Sequence, residues 1–243
     1  MEIVRLHPRL VMLGFPVGHA YLWEDPGGLT LVDTGVPGSG AEIERAIEEL
    51  GHRRRDLRRV LLTHFHEDHV GSAAEVAGWG DVEVVAHRLD APVIRGEADG
   101  PPAVLSDWEE RLLAQVRSQM SGDVAEPVRV DREVDDGDEI DLGGGVRAVC
   151  LSVPGHTPGS VAYYLPEPRV LFTGDTIARG PDGTVILGVF NVDPGQAVAS
   201  FRRQAELDAE IACFGHGDPV AGGAAATLRA AAGRATRGES APG

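Results

Sequence analysis

Cysteine is almost missing from these 243 residues: Cys150 and Cys213 are the two in the chain. Two thiols cannot build the framework of a disulfide-stapled module. Each lies inside an apolar run, RAVCLSV and IACFG, where a small buried hydrophobe is expected. No apolar run approaches the ~18 residues that span a bilayer. The N-terminal MEIVRLHPRL has no basic start followed by an apolar stretch, so no signal peptide is expected and the reading is cytoplasmic. Basic residues are outnumbered, 22 against 38 acidic ones, for a net charge of −16. Such a surface repels phosphate backbones and anionic headgroups, which argues against nucleic-acid and membrane partners. Solubility alone accounts for the charge. It does not fix the charge of a pocket, so an anionic substrate stays open.

Hydrophobic residues make up 42% of the chain, enough for a sizeable core, and 32 glycines with 16 prolines promise many turns. The stretch GHAYLWEDPGGLTLVDTG reads as two strands joined at Asp25-Pro26-Gly27-Gly28, the second ending at Asp33. Ile43, Ala46, Ile47 and Leu50 recur at helical spacing, closed by Gly51. The basic loop 53–59 reads as solvated surface. A strand at Val60–Leu62, a helix in VGSAAEVAGWG and a strand in VEVVAH follow. Ser106 to Met120 reads as a helix whose Ser106 and Glu109 form a capping box. Strands are expected at VRV (128–130), VRAVCLSV, SVAYYL and RVLFTGD. A helix capped by Asp193 with Pro194 at its first position comes next. The last twenty or so residues predict a short helix and a flexible tail from about residue 234. LTLVDTG and RVLFTGD echo each other as apolar strands ending at an aspartate, a hint of a duplicated unit. Strands mixed with helices in both halves predict a layered α/β or α+β fold, read as one domain over 1–243 with a helical insertion at 90–126.

The densest chemistry is THFHEDHVG, residues 63–71, directly after an apolar strand. Imidazoles and carboxylates are what Zn²⁺ takes when thiolates are absent. His64 and His66, two apart where a strand ends, can turn to one point; Asp68 and His69 in the next turn can face a second beside it. One ion cannot easily take all four from so short a loop, whereas two can. The pattern H-x-H-x-D-H arises by chance in roughly one chain in a thousand of this composition, and ligand-type residues recur at strand ends. They are His156 in VPGHTPGS, Asp175 in LFTGDT and His216 in CFGHGDP.

Taken together, LVDTG, THFHEDH, PGHTPGS, FTGDT and GHGDP, in that order from about Leu29 to Val220, resemble the metallo-β-lactamase-fold hydrolase superfamily, including its glyoxalase-II-like and lactonase-like members. The resemblance implies a four-layer αββα sandwich with a binuclear centre between the sheets, holding two Zn²⁺ with iron or manganese as alternatives. It implies His64, His66 and His156 on the first metal, Asp68, His69 and His216 on the second, Asp175 bridging, and Asp33 supporting the first motif from behind. The metals acidify a water, and their charge stabilises the oxyanion formed when it attacks. Asp68 is the expected catalytic residue, a metal ligand that also holds or relays the nucleophile's proton. Glu67, not at a ligand position, is expected to face solvent or brace the loop. His7, His52 and His87 read as surface groups. His19 opens a strand that in relatives often carries a polar residue near the metal mouth.

Among the superfamily's activities, the absent leader and the aspartate at the bridging position argue against class B β-lactamases. The 27 residues after His216 leave no room for the helical substrate domain of glyoxalase II. Flavodiiron proteins carry glutamate where His66 stands, and the acidic balance argues against nuclease branches. The expectation is a metal-dependent hydrolase of a small ester, thioester or lactone, with a homodimer as the assembly to consider. The alternatives are a mononuclear-iron persulfide dioxygenase and a non-catalytic metal-binding or sensing module. The segment 91–120, with Trp108, reads equally as a pocket wall and as a packing helix.

Overall fold

The computed structural model describes residues 1–119 and 124–235. The first sheet contains seven strands in sequence order: β1 (Glu2–His7), β2 (Leu10–Gly14), β3 (His19–Asp25), β4 (Gly28–Val32), β5 (Leu57–Leu61), β6 (Glu83–His87) and β7 (Arg132–Val134). The second contains β8 (Glu139–Gly143), β9 (Val146–Ser152), β10 (Val161–Leu165), β11 (Val170–Phe172), β14 (Ile211–Cys213) and β15 (Val220–Ala221). A separate hairpin pairs β12 (Ile177–Arg179) with β13 (Val185–Leu187). The helices are α1 (Gly40–Glu49), α2 (Glu67–Val70), α3 (Ala73–Ala77), α4 (Ala91–Ile94), α5 (Asp107–Gln119), α6 (Pro194–Ala205) and α7 (Ala224–Ala235).

Strand periodicity creates the layers. Along β2, Val11 and Leu13 pack under α1 and α3, while Leu10 and Met12 face the second sheet. That alternation is the two-residue period of a strand buried on both faces. The second sheet divides likewise: Ala148 and Cys150 of β9 meet the first sheet, and Leu151 meets α6 and α7. Three stacked apolar layers therefore separate helix, sheet, sheet and helix, the expected αββα sandwich.

Two buried tyrosines cross the middle layer. The Tyr21 hydroxyl donates to the Phe214 carbonyl at 2.6 Å, and the Tyr163 hydroxyl donates to the Leu62 carbonyl at 2.9 Å. Phe214 and Leu62 each stand two residues before a histidine, so these bonds tie the sheets together beside the functional edge. A buried phenol needs such a partner.

The hairpin at Asp25–Gly28, the helix closed by Gly51 (φ +83°) and the Asp193 cap, which accepts from the Gln196 amide at 2.9 Å, form where the sequence placed them. Ser106 donates through its amide (2.9 Å) and hydroxyl (2.6 Å) to Glu109, starting α5 as expected, although Met120 lies outside the described residues. The tail expected from about 234 also falls largely outside them, since α7 runs to Ala235 and residues 236–243 are not described. One strand is displaced. VRV (128–130) is irregular, because the Val128 amide is used by the Ile94 carbonyl; pairing with β6 begins only at Arg132. The strands β1 and β2, for which the sequence reading made no prediction, form the sheet's outer edge. No helix among the described residues is long and apolar enough to cross a membrane.

Candidate metal centre

The parallel pairs β4–β5 and β11–β14 end at the same edge, and the loops that leave them carry the ionisable groups. Asp33 follows β4, His64 to His69 follow β5, Asp175 follows β11 and His216 follows β14. His156 joins from the turn between β9 and β10. Convergence at the carboxyl ends of parallel strands is how layered α/β folds build sites.

All seven sequence-predicted ligand residues come together there, in two adjoining groups. His64, His66 and His156 form one; Asp68, His69, Asp175 and His216 form the other; within each group the donor atoms lie within 4.8 Å of one another. In the first, the rings of His64, His66 and His156 stand nearly perpendicular with centroids 4.6–4.8 Å apart. His66 Nδ1 and His156 Nε2 approach to 2.9 Å. In the second, Asp175 lies 3.2 Å from His69 Nε2 and 3.0 Å from His216 Nε2, and Asp68 lies 3.2 Å from His216. Asp175 also reaches within 3.7 Å of His156 in the first group, so it stands at the border of the two.

The residues fit metal ions. His64 Nε2 and His156 Nδ1 are buried without a hydrogen-bond partner, and His69 Nε2 and Asp175 Oδ1, though 3.2 Å apart, do not meet with hydrogen-bond geometry. Orphaned buried polar atoms are costly and call for a ligand. Burial, reinforced by neighbouring imidazoles, holds His64 well below the ordinary histidine range and brings His66 down to about 3. Burial likewise lowers His156. The first group is therefore three neutral imidazoles, which is the metal-binding form. In the second group burial opposes charge, but opposite charges outweigh it. Asp175, Asp68 and Asp33 hold His69 high, Asp175 and Asp68 raise His216 to about 10, and the two imidazoliums hold Asp68 and Asp175 low. Two protons thus neutralise two carboxylates where a cation would do the same.

Support behind this ligand set is visible for the second group. Asp33, buried at φ +58°, accepts from the Thr63 amide, the Thr63 hydroxyl and His69 Nδ1, each at 2.8 Å. Fixing Nδ1 leaves His69 Nε2 turned to the cluster. Gly215 permits close approach: a Cβ there would overlap Asp175 Oδ1 and stand 2.7 Å from His69 Cε1. Glu67 is exposed, as expected. His7 stacks on Trp23, and His52 meets Glu24 at 3.1 Å, both away from the cluster. His87 departs from its expected surface role. It is 4% exposed and bonds to the Ser152 hydroxyl at 2.9 Å, because β6 is covered by the second sheet at that point. His19 is partly buried with Nδ1 unpartnered, and the preceding Gly18 faces Asp68 and His216.

The sequence reading missed Asp90. It is buried with no exposed surface and bonds to the loop that carries His156. Its only local signal, LDAP, reads as an ordinary helix cap.

A cavity of about 960 Å³ lies between α5, the β12–β13 hairpin and α7; none of the seven donor residues lines it. Trp108, Val185, Leu187 and Val189 give it apolar walls, with Asn191 and Arg234 as polar points. Gly188, also in its wall, presses on the Asp175 backbone so closely that a Cβ would collide with it. Trp108, left open by the sequence between wall and packing, lines this cavity.

The profile of the Metallo-beta-lactamase superfamily matches residues 13–216. A Bacillus subtilis protein named "Probable metallo-hydrolase YflN" is 29% identical over 213 residues, covering 82% of this chain and 78% of that protein. A hydroxyacylglutathione hydrolase of Rhodobacter capsulatus is 29% identical over 209 residues, covering 84% of this chain and 64% of the relative. Among solved structures, a metallo-beta-lactamase family protein of Thermus thermophilus superposes with a TM-score of 0.69 at 25% identity, over 97% of this chain and 80% of that one. BJP-1, a subclass B3 metallo-beta-lactamase of Bradyrhizobium japonicum, does so with a TM-score of 0.70 at 21% identity, over 98% and 92%. The latter likeness speaks to the fold alone.

Proposed function

The chain belongs to the metallo-beta-lactamase superfamily, and from that premise we propose that it is a binuclear metal-dependent hydrolase cleaving an ester, thioester or lactone bond of a small molecule. The observation that carries the reading is the pair of adjoining donor groups with Asp175 at their border. Zinc is the metal that the imidazole and carboxylate set favours. Two divalent ions would supply an acidified water and positive charge for the oxygen of the bond under attack.

The chain's own residues do the rest. His64, His66 and His156 offer neutral nitrogens to one ion. His69, oriented by Asp33, joins Asp68 and His216 on the other, with Asp175 shared. Asp68 has the more exposed carboxylate of the cluster, 19% against 10% for Asp175, so it is placed to hold the attacking water's proton. An oxygen base within hydrogen-bond reach is what that transfer needs. The cavity behind Gly188, with Trp108, Val185, Leu187 and Val189 in its walls, suits an acyl or ring substituent. The name of the Rhodobacter relative describes a hydrolase of an acyl-glutathione, which agrees with acyl chemistry.

Elemental analysis of protein made with ample metal, followed by a panel of aryl esters, acyl thioesters, lactones, phosphodiesters and cephalosporins, tests this. Two transition-metal ions per chain and turnover confined to acyl substrates are expected. Faster phosphodiester or cephalosporin turnover would overturn the substrate class. One tightly held iron with no capacity for a second ion would point to an oxygenase, and metal without any turnover to a sensing module.

A further inference from the structure

Asp33 braces the second donor group, and through the Thr63 hydroxyl, which lies 3.0 Å from His64 Nδ1, it also reaches one ligand of the first; nothing so far described joins the His64–His66 loop to His156. The three histidines of that group come from two segments far apart in the chain: His66 and His156 are 90 positions apart. Something must fix the distance between those segments.

Asp90 lies between them. It occupies the N-cap of α4, a position where a carboxylate ordinarily accepts from the helix's own amides. Here it makes no such bond. Its Oδ2 instead accepts from the Thr157 hydroxyl at 2.6 Å, and its Oδ1 accepts from the Gly159 amide at 2.7 Å. The Phe65 backbone amide also favours the charged carboxylate, from beyond ordinary hydrogen-bond geometry. Thr157 adjoins His156, and Phe65 stands between His64 and His66. Thr157 is held in turn by Ser160, whose hydroxyl lies 2.8 Å from the threonine hydroxyl and accepts from its amide at 2.9 Å. The contact also explains the glycine of HTPGS: a Cβ on Gly159 would come within 2.5 Å of Asp90 Oδ1 and of the Asp90 amide nitrogen.

We infer that Asp90 is the positioning residue of the first metal site, a buried carboxylate that clamps the His64–His66 loop to the His156 loop and sets the spacing of their three imidazoles. A carboxylate suits the task because all three partners are donors and it has only acceptors to offer. Alanine leaves these donors without their partner. Asparagine keeps one acceptor and turns an amino group towards a donor.

The inference rests on the metal-centre reading, and the test separates the two. Wild type, Asp90→Ala, Asp90→Asn and Thr157→Val are stripped of metal and titrated with Zn²⁺ against a chromogenic chelator. Cobalt-substituted samples report ligand geometry by visible absorption, and the stripped forms are melted alongside. For Asp90→Ala we expect one of the two ions to bind roughly 10–100-fold more weakly, with an altered cobalt spectrum, while the other ion binds as in wild type. Asp90→Asn should recover part of that loss. Thr157→Val, which removes a single bond, should give a smaller loss at the same ion and serves if Asp90→Ala does not fold. Unchanged affinity for both ions with only a lower melting temperature would overturn the inference and leave Asp90 a packing residue. An equal loss at both ions would overturn it in favour of general loosening. If wild type itself takes up no metal, the metal reading fails first and this inference with it.

Discussion

Replacing Gly215 by alanine adds one methyl group at the place where β14 gives way to His216, and the structure sets the size of the disturbance. That methyl would overlap Asp175 Oδ1 and lie 2.7 Å from His69 Cε1, against 3.4 Å or more for an ordinary contact. One or both ligands must therefore move by about 0.7 Å or more, since overlap at this range is strongly repulsive. Metal–ligand distances tolerate roughly ±0.2 Å. Asp33 holds His69 from behind at 2.8 Å, so the ring cannot retreat without breaking that bond. An ion held, as proposed, by Asp68, His69, Asp175 and His216 should be lost or displaced. Displacements near 1 Å can cost on the order of 100-fold in rate, and overpacking at a buried position costs about 1–3 kcal/mol. Metal content after dialysis, turnover on the best substrate of the panel and thermal melts are compared with Gly233→Ala. A Cβ at Gly233, in α7, meets nothing within 4 Å, so that variant should be slightly stabilised, by about 0.5–1 kcal/mol. If Gly215→Ala keeps both ions and turns over within twofold of wild type, the close approach at the centre is misread.

Asp68→Ala should lower turnover by roughly 10²–10⁴-fold with metal in excess, while the exposed neighbour Glu67→Ala stays near wild type; the reverse order would refute the roles within HFHEDH. Asp33→Asn keeps a residue that tolerates the positive φ but loses an acceptor for its three donors. The metal-free protein should lose about 1–3 kcal/mol in denaturant melts, and the ion held through His69 should bind more weakly; unchanged melts and affinity would argue against the brace. Burial raises the Asp90 carboxyl from an ordinary 3.8 to about 6, although its hydrogen bonds pull the other way. The folded state then keeps a proton that the unfolded chain gives up between those values. This contribution to stability is complete below about pH 3.8 and is lost as pH rises through about 6. Relative to Asp90→Asn, wild type should lose up to about 3 kcal/mol across that window, read from denaturant melts of the metal-free proteins at pH 4 to 7. A gap independent of pH would show that Asp90 does not titrate there.

Much of this molecule was legible locally. Apolar runs bounded by turn residues marked the strands at 19–32 and 146–165, the cap at Asp193 marked a helix, and the crowding of HFHEDH marked a candidate metal centre whose seven donors the fold gathers at one sheet edge. Those features depend on neighbours a few positions away, where backbone geometry ties spacing to direction. Val128 to Val130 were expected as a strand yet form none, because the Ile94 carbonyl claims the first of their amides. His87 looked like a surface group and is covered by Ser152 of the opposite sheet.

What the sequence could not express is which distant groups share a bond. Asp90 and Thr157 are 67 positions apart, and Tyr21 reaches the Phe214 carbonyl across 193. Either side chain, read alone, suggests a helix cap or a core aromatic. The identity of the donors was therefore set by residue chemistry and short-range spacing. The clamp at Asp90, the tyrosine ties and the cavity behind Gly188 were decided by packing two sheets face to face, because only that packing brings carboxylate, amide and hydroxyl within hydrogen-bond distance.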